Sequence, residues 1–521
     1  MLGTMPMLCN RHEVEVSAWR HPVKRDMSHA CHPSTSLRVT SIVLAKSPTR
    51  RHAERSPDVS YRDEVEACSC SPTIILMTQL KRALSRFDLT MIAIGGTIGS
   101  GIFLTPSLIA RNLESPVLIL GVWVIGGLMA LAGSLTFAEL GGMMPGSGGV
   151  YVYLSQTYGK LFGFLYGWAY LLVVNTGGIA ALSIAFATYL GFFIPLGAAG
   201  IKVVAILGLV FLTVLNVMGV KAGGMFSNVF TILKLAGIAG IIVIGFGWGS
   251  TSVTDFTALS NANPSGLLSA LAVAMVGVLW SYGGWQHASY TAGEAKEPER
   301  SVPFAMVVGA LIVAFIYVTI NIAYMLLLSP AAIGNSSRVA AGAVGTIFGP
   351  TGGSLIAVAI FISTFGTAGI YTLTAPRIYY AMATDGIFFK QIATVHPRFK
   401  TPANAIVLQS TWAIILILFW GTFENLISYV VFTDWIFFGL AASCVLVLRR
   451  KLPEAQRPYR TLGYPFTPLF FVLLAGWFVV NTLVEKPEQA WAGIIFLALG
   501  VPVYYYWSGK SSNNTENGRP E

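Results

Sequence analysis

Four glycines, Gly95, Gly96, Gly99 and Gly101, crowd the middle of an apolar stretch at 87–110, FDLTMIAIGGTIGSGIFLTPSLIA, with Ser100 among them. About 20 residues of ordinary helix cross the hydrocarbon core of a bilayer, and a segment meant only to span it has no use for glycine. Glycine weakens a helix and lets backbone approach other groups closely. Backbone broken at membrane depth survives only inside protein or along a cavity, where its N–H and C=O groups find partners. Those groups suit a small polar solute that has left its water. The segment therefore reads as a substrate site.

A second anomaly lies in GVLWSYGGWQH at 277–287, where Gly283 and Gly284 interrupt another apolar stretch beside Trp280, Tyr282 and Trp285. Interfacial tryptophan belongs at span ends, and Trp280 lies near mid-depth. Other glycine doublets, Gly126-Gly127, Gly177-Gly178 and Gly223-Gly224, read as close helix packing. Two Gly-interrupted spans five spans apart are the pattern of an inverted-repeat secondary transporter.

Isolated charges add to this. Lys234 stands among Val229, Phe230, Ile232, Leu233 and Leu235, some ten residues into its span. A lysine near the bilayer centre costs several kcal/mol unless partnered. The alternative is a lysine close enough to the cytoplasmic end to reach water. Asp434 is the other intramembrane charge, and three roles stand open for it: pairing with a cationic substrate group, accepting a proton, or bonding a neighbouring helix. Glu139, before a Gly-Pro turn, is expected to be structural, with inner-gate pairing as the alternative. His287 is expected to pack between helices, and Glu294–Arg300 to form a cytoplasmic turn into the next helix.

The elements that must position these groups follow from composition. The chain has 521 residues, 54% hydrophobic and 11% charged, against about 25% charged in soluble domains. Mean hydropathy is +0.67. The expected class is an all-α polytopic membrane protein with twelve spans, near 87–110, 116–143, 161–194, 201–219, 225–248, 266–290, 303–328, 353–383, 402–422, 425–448, 466–484 and 489–507. Of 23 Lys and Arg beyond residue 76, 18 fall in loops on the side of the N-terminus, among them Lys81, Arg82, Arg86, Arg377 and Arg449. Positive loops stay cytoplasmic, so both termini are expected inside, in the plasma (cell inner) membrane.

Residues 1–76 differ. They hold four of the five cysteines, five of the seven histidines and eight acidic residues, with no hydrophobic periodicity and no apolar signal-peptide region. This composition reads as a disordered extension, and an initiator at Met77 is the favoured start. His29, Cys31 and His32 fit no zinc spacing. The expected organisation is an extension at 1–76, a ten-helix transport core at 77–450, helices eleven and twelve at 451–507, and a tail at 508–521.

GGTIGSGIF at 95–103 resembles the first-helix motif of the amino acid–polyamine–organocation superfamily. AELGGMMPGSGGVYVYL (138–154), FTILKLAG (230–237), LWSYGGW (279–285), EAKEPERSVPFA (294–305), STFGTAGIYTLTAPRIYYAMATDGIFF (363–389) and FTDWIFFGL (432–440) resemble its further motifs in order. The pattern is most similar to the L-type amino acid transporters and their bacterial relatives. The resemblance implies the LeuT-like 5+5 inverted repeat with broken helices 1 and 6. It implies amides of Gly99, Ser100 and Gly101 for a substrate carboxylate, carbonyls of Thr97, Trp280 and Gly283 for its ammonium, and an aromatic gate at Trp280. It also implies that Lys234 stands where a cation bridges the first and eighth helices in sodium-coupled relatives, with the hydroxyls of Ser363 and Thr364 near it. A buried ammonium there makes sodium unnecessary and offers a carrier for a coupled proton. Asp434 departs from the neutral polar residue frequent in L-type relatives.

The expectation is a secondary amino acid transporter working by alternating access, as proton symporter or exchanger. A neutral substrate is expected, because Asp434 is the group able to compensate a charged side chain. A polyamine or cationic amino acid permease of the same fold is the alternative, and a channel the reading from another class. Without HExxH, a Walker A motif, CxxC or paired intramembrane carboxylates, no enzyme, cofactor or metal is expected. Expected partners are an amino acid, the lipid bilayer and protons, with no nucleic acid. Whether a partner subunit exists is open, and Cys444 is poorly placed to tether one.

Overall fold

The computed structural model describes residues 80–249, 264–336, 338–419, 423–485 and 487–516. The N-terminal extension, the Met77 start and the His29-Cys31-His32 cluster lie outside the described residues, as does the end of the tail beyond Glu516. Among the described residues the protein is helical apart from an isolated bridge between Leu84 and Ala295. Among these residues nine helical stretches are long and apolar enough to cross a membrane, and Gly266–Tyr282, Ala403–Phe419 and Gly493–Ser508 are shorter apolar helices. The chain is a multi-pass membrane protein.

The first apolar stretch is split into α1 (Arg86–Thr97) and α2 (Gly101–Leu113). A capping box starts α1: Ser85 Oγ accepts from Asp88 N at 3.2 Å, and Ser85 N donates to Asp88 Oδ2 at 2.7 Å. In α2, Pro106 has no N–H for the carbonyl of Ile102, and the Tyr324 hydroxyl lies 3.4 Å from that oxygen. α3 (Pro116–Met143) opens with proline at its first position, where a missing N–H costs nothing. After the short α4 (Val150–Tyr158), the third stretch comprises α5 (Lys160–Ala169), a π-helical turn (Tyr170–Val174) and α6 (Asn175–Leu190).

α7 (Ala198–Val217) and α8 (Val220–Trp248) follow, with Leu207, Phe211 and Ile232 exposed on faces that suit lipid. The sixth stretch is broken between α9 (Pro264–Tyr282) and α10 (His287–Tyr290). Then come α11 (Pro298–Leu327), a short α12 (Pro330–Asn335), α13 (Val339–Thr374) and α14 (Pro376–Thr384). α13 begins earlier than the sequence predicts because a helical stretch before Gly349 joins it across a kink, with Gly349 at φ 57° and Pro350 next. The chain finishes with α15 (Ala403–Phe419), α16 (Phe423–Lys451), α17 (Phe466–Glu485) and α18 (Pro487–Glu516). Helix therefore continues past residue 507 into the polar segment read as tail.

Glu139 is ion-paired between helices, as both the structural and the inner-gate expectation allow. Its carboxylate accepts from Arg449 Nε and from the second guanidinium nitrogen at 2.9 and 2.7 Å, and from Thr461 N at 2.8 Å. Arg457 Nε lies 3.2 Å away. One carboxylate thus fastens the C-terminal end of α3 to the end of α16 and its following connector.

Candidate functional site

At the end of α1 the last carbonyls lose their helical donors. Ile98 N still reaches Ile94 O at 2.8 Å, but Ile98 itself is extended, with ψ 91°. Side chains of three other helices take over. Lys234 Nζ, on α8, donates to Gly95 O at 2.9 Å and Ile98 O at 2.7 Å, and lies 2.7 Å from Thr367 Oγ1. Thr367, on α13, is within hydrogen-bond distance of the same two carbonyls at 3.0 and 2.9 Å. Ser363 Oγ, one turn earlier, donates to Gly99 O at 3.0 Å. Tyr317 Oη, on α11, lies 3.1 Å from Thr97 O and 3.0 Å from Ser281 O, so one hydroxyl ties the end of α1 to the end of α9.

Lys234 is 1% exposed. Its ammonium does not reach water; main-chain oxygens of the break solvate it instead. Ser363 reaches the same break, through Gly99 O and Ile98 O. Thr364 does not: its hydroxyl turns back to Ile360 O at 2.9 Å within its own helix. The hydroxyl in that place is Thr367, which a helical wheel puts on the Ser363 face at i+4.

The two breaks meet main chain to main chain. A Cβ on Gly96 would lie 3.1 Å from Gly284 O, and one on Gly284 would run into the carbonyl of Gly96. Gly284 also has φ +135°, which L side chains rarely adopt. On the far side of the second break, Gly284 N donates to Gln286 Oε1 at 2.8 Å and His287 N to Gly284 O at 3.1 Å.

The amides at the start of α2 face no earlier helical turn, and Ser100 Oγ beside them is buried without a partner. Gly99 keeps ordinary contacts, its added Cβ 3.4 Å from Thr367. At Gly101 the space a side chain would take is filled by Ser281, whose Cα a Cβ would meet at 2.8 Å. Its missing side chain serves helix packing. Two of the three carbonyls assigned to an ammonium are engaged within the protein, Thr97 O by Tyr317 and Trp280 O by Gly283 N at 3.3 Å.

Trp280 and Gly283 line a cavity with Tyr170, Gln286, Tyr371 and Asp434. At about 20 Å3 it holds roughly one water. Asp434 Oδ1 is buried with no hydrogen-bond partner. Tyr282 and Trp285 are scaffold, as expected: Tyr282 packs on Trp123 and Tyr317, and Trp285 on Phe137 and Phe438. His287 packs between helices too, stacked on Tyr371 and 2.5 Å from Thr374 Oγ1 through Nδ1.

Glu294 and Arg377 were read as loop residues and are neither exposed nor apart. Arg377 Nε donates to Glu294 Oε2 at 2.6 Å with both side chains fully buried, and Arg377 also donates to Leu373 O. Ala83 N and Leu84 N donate to Glu294 O at 2.8 and 2.9 Å, so the segment entering α1 is stitched to the segment leaving α10.

Residues 84–504 match the family described as amino acid permease. The serine/threonine exchanger SteT of Bacillus subtilis (strain 168) is 35% identical over 424 residues, 80% of this chain and 95% of its own length. The b(0,+)-type amino acid transporter 1 of Homo sapiens is 29% identical over 84% of this chain and 91% of its own length. The cystine/glutamate transporter of Homo sapiens is 29% identical over 82% and 85%. The chain thus belongs to the amino acid permease family of the amino acid–polyamine–organocation superfamily, whose members are transporters and not enzymes.

Proposed function

We propose that this chain is a sodium-independent secondary transporter of neutral amino acids, working by alternating access across the plasma membrane with both termini cytoplasmic. The reading takes all twelve apolar stretches as spans, in a broken-helix 5+5 repeat followed by helices eleven and twelve, with residues 1–76 outside the transport core. The substrate carboxylate meets the start of α2 at Gly99, Ser100 and Gly101, where amide N–H groups and the positive end of the helix dipole favour an anion. Its ammonium meets the carbonyls of Thr97, Trp280 and Gly283, displacing the internal partners of the first two, and Trp280 closes over it.

The observation that carries the reading is the coordination of Lys234. Its ammonium sits on two carbonyls of the first break and beside the Thr367 hydroxyl of α13, while Ser363 of the same helix donates to Gly99 O, the kind of oxygen set that would otherwise hold a monovalent cation. A covalently fixed cation braces α1 against α13 in every state of the cycle and leaves no role for sodium.

The test is uptake into liposomes holding the purified full chain, with a panel of amino acids inside and outside, at two pH values, with sodium or choline as the cation. The reading expects uptake of neutral amino acids indifferent to sodium. Dependence on internal amino acid identifies exchange, and dependence on an imposed pH gradient identifies proton symport. No uptake of any amino acid contradicts the reading.

A further inference from the structure

A chain of hydroxyls runs between the helices beside the second break and ends on an imidazole. Tyr166 Oη lies 2.7 Å from Tyr290 Oη, and Tyr290 donates to Tyr170 Oη at 3.1 Å. Tyr170 Oη lies 3.4 Å from His287 Nε2, and His287 Nδ1 lies 2.5 Å from Thr374 Oγ1. All of these side chains are buried. One contact fixes the direction of every proton. Thr374 gives its only hydroxyl hydrogen to Ile370 O at 2.8 Å, so it accepts from His287 Nδ1. The neutral ring then carries its hydrogen on Nδ1, which leaves Nε2 as an acceptor for Tyr170. Tyr290 spends its hydrogen on Tyr170, so Tyr166 donates to Tyr290. Each hydroxyl hydrogen of the three tyrosines points along the chain toward the basic nitrogen.

We propose that His287 is the proton carrier of a symport cycle, loaded through Tyr170, which also lines the cavity beside Trp280 and Gly283. This deepens the transporter reading and rests on it. In loading, an O–H bond of a hydronium ion in the cavity breaks as its proton bonds to the Tyr170 oxygen. The original Tyr170 hydrogen leaves for Nε2. Water, an intact hydroxyl and an imidazolium result, and unloading reverses the step. The charged ring keeps Thr374 as acceptor at Nδ1 and has the Tyr170 oxygen as acceptor at Nε2. Tyr371 of α13, stacked on the ring at 4.3 Å, offers the π face that attracts a cation. Asp434 of α16 is the acidic residue lining the same cavity as Tyr170. Other ionisable groups of the elements around α10 are engaged elsewhere. Tyr317 and Tyr324 of α11 lie on main-chain oxygens, and Glu299 and Arg300 at its start are exposed. On α1, Asp88 is held by Ser85 and Asn228, and Arg86 is exposed. Glu294 pairs with Arg377, and Lys234 sits on the first break. His287 N also donates to Gly284 O, so charging the ring acts at the second break itself.

The test uses liposomes holding the full chain and an entrapped pH-sensitive dye, with the membrane potential clamped and labelled alanine, serine or leucine added outside. Wild type is expected to acidify the lumen as it takes up amino acid, by roughly one proton per molecule, the capacity of one imidazole. His287→Gln, and Tyr170→Phe, which keeps the ring and removes the hydroxyl, should lose this acidification per amino acid moved. A residue that only packs helices would change the amount of amino acid moved and leave the ratio alone. Should neither variant transport, histidine-selective nitrogen NMR of purified wild type reads the ring itself. Conversion of an Nδ1–H tautomer to imidazolium on adding amino acid at acidic pH supports the proposal, and a ring neutral throughout overturns it. Uptake by wild type without acidification, or a ratio untouched in either variant, overturns the proposal while leaving transport intact. Absence of all amino acid uptake by wild type overturns the underlying reading with it.

Discussion

Gly96 and Gly284 touch through their main chains, joining the two interrupted helices at a point where Gly284 has no room for a methyl group and Gly96 only a tight 3.1 Å contact. This contact makes the glycine requirement unequal along the motifs. At Gly284 a Cβ would collide with backbone and the φ of +135° is unfavourable for any other residue, whereas at Gly283 an added Cβ would have ordinary contacts of 3.5 and 3.6 Å. Gly284→Ala should sharply lower the yield of monodisperse protein in size-exclusion chromatography, and Gly283→Ala should not. Equal behaviour of the two would contradict the packing described.

Gly101→Ala should lower the melting temperature of the purified protein, because its methyl group meets the backbone and side chain of Ser281 at 2.5–2.9 Å. Overpacking of this kind costs about 1–3 kcal/mol. A variant as stable as wild type would show that α2 and α9 separate easily.

Removing one member of the Glu294–Arg377 pair strands a fully buried charge, at a cost of about 3–5 kcal/mol. Arg377→Met should therefore unfold at a much lower temperature than wild type. Adding Glu294→Gln should recover a large part of the loss, since the second change removes the stranded carboxylate. A double variant less stable than Arg377→Met would argue that the pair is not the main role of either residue.

Tyr317→Phe removes the hydroxyl shared by Thr97 O and Ser281 O without changing the ring packed on Trp123 and Tyr282. A net loss of about 1 kcal/mol is expected, visible as a modest drop in thermal stability, with altered uptake because both carbonyls flank the proposed substrate position. Unchanged stability and uptake would remove Tyr317 from the account.

Much of this was legible in the sequence because membrane physics makes the exceptions conspicuous. Glycines in mid-span and a lysine among Phe230, Ile232 and Leu233 violate the rule that spans are helical and apolar, and they mark the first break and its brace. The contacts that complete the site follow weaker rules. Thr364 and Thr367 are equally polar in sequence, and only the face of α13 turned toward α1 decides between them. Glu294 and Arg377 look like ordinary loop charges because 83 residues separate them; burial and a 2.6 Å contact show otherwise. Tyr317 carries no sequence signal beyond a tyrosine in an apolar helix. The filled space beside Gly101 was likewise invisible, since glycine serves a turn and a close approach alike.

In the proposed cycle the Lys234 ammonium takes the place of a bridging cation. The direct test is uptake of a labelled neutral amino acid into proteoliposomes, with sodium and with choline, by wild type and by Lys234→Ala at matched protein density. Equal wild-type uptake in the two media and loss of most transport in Lys234→Ala are expected. If the lysine also carries a coupled proton, any residual exchange in the variant should be insensitive to pH. A strict sodium requirement in wild type, together with Lys234→Ala transporting like wild type, would contradict it.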